Sequence, residues 1–270
     1  MFVIEMIKSI ILGLVEGITE WLPISSTGHM ILVNEFLKNH DGFTASDLYL
    51  YVIQLGAILA VVTIYFRKLN PFSPSKTNQE RLDTWSMWFK VVVACLPAAI
   101  IGLLLDSFME HFENWQVVSL MLIVYGIAFI IVERCTKSQT ICSMKDMSYK
   151  TALLIGAFQV LSIIPGTSRS GSTILGAMIL GCSRGLAAEF SFFLAVPVMF
   201  GVSFLKILKY GLSMSGQDLT VLLTGMIVAY IVSVVSIKFL INYVRKHDFK
   251  SFGIYRIVLG ILVILYFVLV

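Results

Sequence analysis

Two stretches of the chain decide its fold: GLVEGITEWLPISSTGH at residues 13–29 and GAFQVLSIIPGTSRSGST at residues 156–173. Each starts as an apolar helix and then meets a proline that is followed by serines and threonines. A proline pushes the residue before it out of the helical region, so the first helix ends there, and a serine or threonine caps the next helix. We therefore predict one helix–break–helix hairpin over residues 1–40 and another over residues 151–182.

The composition places these hairpins in a membrane. Of the 270 residues, 58% are hydrophobic and 13% are charged, and the mean hydropathy is +0.90. A soluble domain carries about 25% charged residues, so this chain cannot cover its surface with polar groups in water. The net charge of +4 requires no nucleic-acid partner, because the basic loops of membrane proteins account for it. These values exclude disordered, collagenous and disulfide-scaffold proteins and indicate an all-α polytopic membrane protein.

Six further stretches are long and apolar enough to be full transmembrane helices. They are residues 48–66, 89–105, 116–132, 187–205, 219–237 and 254–270. Broken backbone at membrane depth must be buried in protein or line a wet cavity, so we expect both hairpins to be re-entrant. The alternative, in which each hairpin crosses the membrane twice, leaves the loops on the same sides. Gln54, polar in the middle of a span, either contacts another helix or reaches the site.

The lysines and arginines set the orientation in the membrane. With residues 67–90 in the cytoplasm, fifteen basic residues fall inside and four outside, and Arg169 lies within the second hairpin. This bias satisfies the positive-inside rule. It places both termini outside, so the first hairpin enters from the outside and the second from the inside.

The two hairpins also match each other at a nearly constant offset. The matched pairs are Gly13 with Gly156, Glu16 with Gln159, Pro23 with Pro165, and Ser25-Ser26 with Thr167-Ser168. Each half is a hairpin followed by three spans, and because three is odd the second half is inserted upside down. We expect a single membrane domain built as an inverted-topology repeat, with the first repeat over residues 1–135 and the second over residues 145–270. Paired broken segments of this kind indicate a site near the membrane midplane.

The first hairpin carries two carboxylates, Glu16 and Glu20, whose spacing of four puts them on one face of a helix. A charge at membrane depth costs about 2.5–3.5 kcal/mol and indicates function, unless this helix end lies at the interface. Two carboxylates without a nearby lysine suit a divalent cation, since hard cations take oxygen ligands. One of them can instead act as a general base.

Beyond the proline, Ser25, Ser26 and Thr27 are candidates to cap the second helix. Its first turn then carries Ser26 and His29 on one face. The N-terminus of a helix binds phosphate, and a serine beside a histidine is the outline of an activated nucleophile. The same pattern also fits ordinary capping, with His29 as a polar residue at a helix end.

The second break repeats this arrangement with a cation. Arg169 follows the predicted cap, among Ser168, Ser170 and Thr173. The helix dipole and the membrane both disfavour an arginine here, and an anionic ligand such as phosphate removes both objections. Otherwise Arg169 reaches the interface or pairs with Glu189. If the two breaks meet, they form a pocket for a phosphate-bearing ligand with a metal ion, and the apolar walls suit a lipid tail.

The run EGITEWLPISSTGH followed by PGTSRSGST resembles the undecaprenyl-diphosphate phosphatase family, also called the bacitracin-resistance protein family. The resemblance covers the whole chain. It implies a hydrolase that removes one phosphate from a polyprenyl diphosphate lipid, undecaprenyl diphosphate, at the outer face of the bacterial cell membrane. It further implies recycling of the lipid carrier for peptidoglycan synthesis, bacitracin resistance, and a divalent cation, Mg²⁺ or Ca²⁺.

The resemblance also assigns roles to residues of this chain. The expected catalytic residues are Ser26, His29, Glu20 and Glu16. Glu16 and Glu20 are also the expected metal ligands. The residues expected to bind the diphosphate are Arg169, Ser168, Ser170, Thr173, Ser25 and Thr27. After Gly171 the family usually has alanine where this chain has Ser172, a small change.

Two questions stay open at the level of sequence. The nucleophile is Ser26 helped by His29, His29 itself, or an activated water. A transporter of a polyprenyl phosphate carrier is the alternative function, since inverted repeats with broken helices are transporter architecture. The expected partners are the lipid substrate and membrane lipids, with no nucleic acid, and a homodimer is left open.

Overall fold

The computed structural model describes residues 2–39, 42–109, 112, 114–135, 139–210 and 214–269. Eleven α-helices lie within these ranges. They are α1 (Phe2–Thr19), α2 (Ser26–Phe36), α3 (Asp47–Ile64), α4 (Phe66–Leu69), α5 (Asn78–Met109), α6 (Trp115–Cys135), α7 (Tyr149–Val160), α8 (Arg169–Ile179), α9 (Arg184–Tyr210), α10 (Gly216–Val244) and α11 (Lys250–Leu269). Residues 1, 40 and 270, which bound predicted segments, and Lys137, counted above as cytoplasmic, lie outside the described ranges.

Within the described part of the chain, six helices are long and apolar enough to cross a membrane, namely α3, α5, α6, α9, α10 and α11. They overlap the six predicted spans, so the prediction of a multi-pass all-α membrane protein is confirmed. Helix α5 begins eleven residues before the predicted start of its span at residue 89. The reason is a capping box, in which Thr77 and Glu80 each accept a hydrogen bond from the other's backbone N–H. This cap stabilises polar helical turns beyond the apolar stretch.

The helices of the two hairpins break where the prolines predict. Helices α1 and α2 are separated by residues 20–25, and α7 and α8 by a 3-10 turn and residues 164–168. Helices α2, α7 and α8 have 11, 12 and 11 residues. At 1.5 Å per residue they are about 16–18 Å long, well short of a hydrocarbon core of about 30 Å. The re-entrant course of each hairpin and the inverted repeat stay predictions.

Each hairpin packs against a span of the other half of the chain, α1 against α10 and α7 against α5. Two glycines make these contacts close. A Cβ atom at Gly13 would meet the carbonyl oxygen of Gly225, and one at Gly156 would meet that of Ala94. Small residues let membrane helices approach backbone to backbone, so these pairs fix the position of both hairpins. The two breaks are thereby held against each other.

The packed interior lies directly beside the breaks. Trp21, which follows the first carboxylate pair, is fully buried and meets Phe192 of α9 edge to face at 5.4 Å between ring centroids. The outward faces of the spans carry large apolar side chains, such as Leu103 and Leu104 of α5, which are 74% and 75% exposed. Apolar surface of this extent is what a membrane protein presents to lipid.

Candidate active site

The second helix of each hairpin begins at a serine with strained backbone. Ser25 and Ser168 are the N-caps of α2 and α8, and their φ angles are 73° and 72°. Non-glycine residues seldom adopt positive φ, and such strain clusters at functional sites. Each serine side chain accepts a hydrogen bond from the backbone N–H three residues on, Gly28 at 3.4 Å and Gly171 at 3.2 Å. The structure therefore confirms a serine cap at the start of each helix, and each of these hydroxyls accepts a hydrogen bond from the backbone of its own helix.

These caps correct the residue matching between the two breaks. The sequence comparison paired Ser26 with Ser168, whereas the N-caps pair Ser25 with Ser168, so Ser26 corresponds to Arg169. The matching was wrong by one because the second break has one more residue after its proline. That residue is Gly166, whose φ of +89° and closeness to the Val118 carbonyl oxygen require a glycine.

The two breaks converge on one carboxylate, Glu20. Nη2 of Arg169 donates a hydrogen bond to Oε1 of Glu20 at 2.8 Å, and the Ser26 hydroxyl donates to Oε2 at 3.0 Å. The Arg169 and Glu20 side chains are only 11% and 10% exposed. The alternative partner Glu189 is instead bonded to Lys68. Removing either member of a buried ion pair leaves an uncompensated charge, so without another charged partner each side chain depends on the other.

Arg169 is held in place by Ser191, a residue that the sequence did not single out. Nη1 of Arg169 donates to the Ser191 carbonyl oxygen at 2.9 Å. The hydroxyls of Ser191 and Thr173 lie 2.7 Å apart, and both residues are fully buried. Thr173 therefore supports the arginine through Ser191. The sequence shows Ser191 only as a serine within a predicted span, which does not by itself indicate a role in the site.

Ser170 joins the two breaks directly. Its buried hydroxyl lies 3.1 Å from the Glu20 carbonyl oxygen and 3.3 Å from that of Leu22. Ser168 lies 3.1 Å from it, hydroxyl to hydroxyl. Ser170 was predicted to bind the diphosphate, and the structure places it as a tie between the hairpins.

Arg256 of α11 binds both breaks at once. Its guanidinium donates to the carbonyl oxygens of Pro23 at 3.2 Å, Gly166 at 2.8 Å and Thr167 at 3.0 Å. The side chain is fully buried and lies 5.3 Å from the centroid of the Tyr125 ring. The sequence count placed Arg256 with the basic residues on the cytoplasmic side, and the structure shows that its side chain is buried in the protein. The feature of the sequence that could have indicated this role is an arginine within the predicted span 254–270.

His29 is hydrogen-bonded away from Ser26. Nδ1 lies 2.7 Å from the Ser25 carbonyl oxygen, and Nε2 lies 2.7 Å from the Tyr255 hydroxyl. The His29 and Tyr255 rings are stacked, 5.6 Å apart and 6° from parallel. Because a carbonyl can only accept, Nδ1 carries a proton, and in the neutral ring Nε2 then accepts from the Tyr255 hydroxyl. Ser26 is bonded to Glu20 and not to His29, so the help of His29 for Ser26 stays a prediction.

Glu16 lies one turn before Glu20 and is 2% exposed. Its Oε1 atom has no hydrogen-bond partner among the described residues. A buried carboxylate oxygen in this state suits a cation. No cluster of three or more His, Cys, Asp or Glu side chains occurs in the ranges that the structure describes. A cation here would take one or two carboxylates and complete its shell with water or phosphate oxygens, as Mg²⁺ does.

A cavity of about 370 Å³ opens beside Glu16. It is lined by Glu16, Ser26, Thr27, Met30, Asp47, Leu50, Tyr51, Gln54, Lys206 and Lys209. Gln54 is therefore placed at the site. The cavity brings together the Ser26 hydroxyl, which is bonded to Glu20, the Glu16 carboxylate and two lysines, at the N-terminus of α2. That arrangement is suited to phosphoryl transfer, which relies on positioning and charge stabilisation.

Comparison with known proteins supports the same chemistry. Residues 9–262 match the family model described as bacitracin resistance protein BacA. An undecaprenyl-diphosphatase of Enterococcus faecalis is 58% identical over 265 residues, which cover 96% of this chain and 96% of the relative. One of Streptococcus thermophilus is 56% identical over 98% of this chain and 94% of its own. One of Acetivibrio thermocellus is 56% identical over 99% of each chain.

Proposed function

The chain belongs to the bacitracin resistance protein BacA family and dephosphorylates undecaprenyl diphosphate, and we propose that the reaction takes place where its two hairpin breaks meet. The observation that carries this proposal is the convergence of Arg169 and Ser26 on Glu20. It brings a phosphate-binding cation and a nucleophile each within hydrogen-bond distance of one base, with Ser26 and Glu20 in the first hairpin and Arg169 in the second.

Arg169 and the free N–H groups of α2 and α8 bind the diphosphate. A diphosphate offers the guanidinium a more highly charged partner than Glu20. Once released from Arg169, Glu20 still accepts the hydrogen bond of the Ser26 hydroxyl and is placed to take its proton.

In the covalent route, Glu20 takes the proton as Ser26 Oγ forms a bond to the terminal phosphorus. The bond from that phosphorus to the bridging oxygen breaks, and undecaprenyl phosphate leaves with the bonding electrons. Water then attacks the phosphoserine, Glu20 returns its proton to Ser26, and inorganic phosphate and a proton are released. The alternative is direct attack by a water activated by Glu20. Acid quench with labelled substrate separates the two, since label on the protein requires the covalent route.

A divalent cation, Mg²⁺ or Ca²⁺, is proposed at Glu16, with Glu20 as the second carboxylate. The orphaned Oε1 of Glu16 supports this position. When bound, the cation neutralises charge on the diphosphate.

The proposed setting is the bacterial cell membrane, with the site open to the outside, and the bias of the loop charges supports this orientation. Dephosphorylation there returns the lipid carrier to cell-wall synthesis and reduces the diphosphate that bacitracin sequesters. The relatives are named as diphosphatases, which does not favour the alternative of a transporter that carries the lipid without hydrolysing it.

The test is phosphate release from undecaprenyl diphosphate by detergent-purified protein, with and without a chelator. We expect metal-dependent release that Arg169→Ala abolishes and that Arg245→Ala, at an exposed position, preserves. Gel filtration checks that each variant is folded. Absence of release from well-folded wild-type protein with either metal would refute the function, and full activity of Arg169→Ala would refute the site.

A further inference from the structure

One face of α9 runs from the Arg169 pair to the cavity. The sulfur of Met199 lies 3.7 Å from Nη2 of Arg169. Lys206 follows Met199 by seven residues, which is two helical turns, so it lies on the same face about 10 Å further along the axis. Between them Ser203 donates to the Tyr51 carbonyl oxygen at 2.7 Å, which fixes this part of α9 against α3.

Lys206 is buried although it lies close to the end of its helix. It is 7% exposed, and its Nζ lies 4.6 Å from the centroid of the Tyr51 ring at the cavity wall. A lysine at a helix end usually extends its charge to water, and Lys209, one turn later, is exposed. A cation that stays at depth is costly and indicates function. Lys206 therefore places positive charge inside the cavity.

The lining of the cavity also includes two carboxylates. Glu16 lies at its buried end and Asp47 is exposed at its mouth, while Ser26 opens into it. A phosphate dianion formed at Ser26 is repelled by these carboxylates when no cation neutralises them. Lys206, and then Lys209 towards the surface, offer it attraction along the path to solvent. Charge of one sign lining a cleft guides an ion of the other sign.

We propose that this cavity is a binding site for a phosphate dianion, that Lys206 contacts the ion, and that Lys209 stands at its exit. The dianion is either the terminal phosphate of the lipid before cleavage or inorganic phosphate after it. Only the origin of the ion, from the lipid substrate or from the released product, rests on the proposed function. Binding of inorganic phosphate to the cavity is testable without turnover.

Inorganic phosphate is the probe, and its binding to the full-length protein is measured from ³¹P line broadening in a titration. The variants are Lys206→Gln, Lys206→Arg and Lys8→Gln. The last is the matched control, because Lys8 is predicted on the same side of the membrane and is ion-paired with Glu5 at 3.8 Å, away from the cavity. Loss of one charged contact predicts about tenfold weaker binding for Lys206→Gln. We expect Lys206→Arg and Lys8→Gln to bind like the wild type.

Turnover assays then identify the source of the ion. If Lys206→Gln weakens inhibition by inorganic phosphate and leaves the KM for the lipid unchanged, the cavity binds the product. If both change together, it also holds the terminal phosphate of the substrate. Equal binding of phosphate by the wild type and folded Lys206→Gln would overturn the proposal, as would an equal loss in Lys8→Gln. If phosphate binds through Lys206 while the wild type shows no hydrolysis, the proposed function fails and the anion site stands.

Discussion

Replacing Arg256 with alanine should remove the hydrogen bonds that connect the two helix breaks and destabilise the protein. The change leaves three buried carbonyl oxygens without their donor, at Pro23, Gly166 and Thr167. A hydrogen bond to a charged group contributes about 1.5–3 kcal/mol, so three of them contribute about 4–9 kcal/mol. Part of this is offset, because a buried cation carries a desolvation penalty of several kcal/mol, and Arg256 has no carboxylate partner among the described residues.

The expected net loss for Arg256→Ala is about 2–4 kcal/mol of the free energy of unfolding. For a chain of this size, 1 kcal/mol shifts the melting temperature by about 2–4 °C, so the midpoint should fall by about 4–16 °C. The assay is thermal unfolding in detergent, followed by tryptophan fluorescence, to which the buried Trp21 contributes. Phosphate release should fall as well, since Glu20 and Arg169 lie on separate breaks.

The Arg256→Lys variant distinguishes the effect of the positive charge from the effect of hydrogen bonds to both breaks. A lysine keeps the positive charge but is a point donor, so it cannot reach three carbonyls on two segments as the guanidinium fork does. We expect it to recover only part of the lost stability. The exposed Arg245→Ala serves as the control and should melt like the wild type. An Arg256→Ala protein that melts within 1 °C of the wild type and keeps its activity would show that Arg256 does not hold the breaks together.

Three other perturbations test the site and the packing. Ser26→Ala should abolish trapping of labelled phosphate on acid quench, because the covalent route needs its oxygen; label that persists would place the nucleophile elsewhere. Tyr255→Phe should change the ¹⁵N shift of Nε2 of His29 and lower kcat with little change in KM, because it removes only the hydroxyl bonded to that nitrogen; an unchanged spectrum would remove Tyr255 from the site. Gly156→Ala should lower the melting temperature, since its Cβ meets the backbone of α5, whereas Gly102→Ala, in open space, should not; equal melting of the two would contradict the close helix contact.

The parts of this protein that local chemistry determines were predictable from its sequence. The six spans follow from length and hydropathy, and both helix breaks follow from Pro23 and Pro165 with their hydroxyl neighbours. Charges in apolar sequence also marked Glu20 and Arg169, and the structure pairs them. These signals need no knowledge of which helices are neighbours.

What the sequence could not supply depends on which helix faces which. Arg256 lies a few residues inside a span, where an arginine can extend to the cytoplasm or turn to a neighbouring helix, and only the packing of α11 decides. The same holds for Lys206, which resembles an interfacial lysine until α3 covers it with Tyr51. Ser191 carries no local signal at all, because a serine in a span is ordinary until a buried guanidinium lies beside it.

The one-residue correction at the breaks explains how two similar segments make a site with two different roles. Ser26 and Arg169 each follow an N-cap serine with the same strained φ, so the two helices present these positions in equivalent local geometry. One position holds the nucleophile and the other the cation, and both donate to opposite oxygens of Glu20. Because the two donors use different oxygens of Glu20, Arg169 can turn to a diphosphate while Ser26 stays bonded to the carboxylate. The site therefore depends on the difference between the two helix starts. A serine at one position supplies the nucleophile, and an arginine at the equivalent position supplies the phosphate-binding charge.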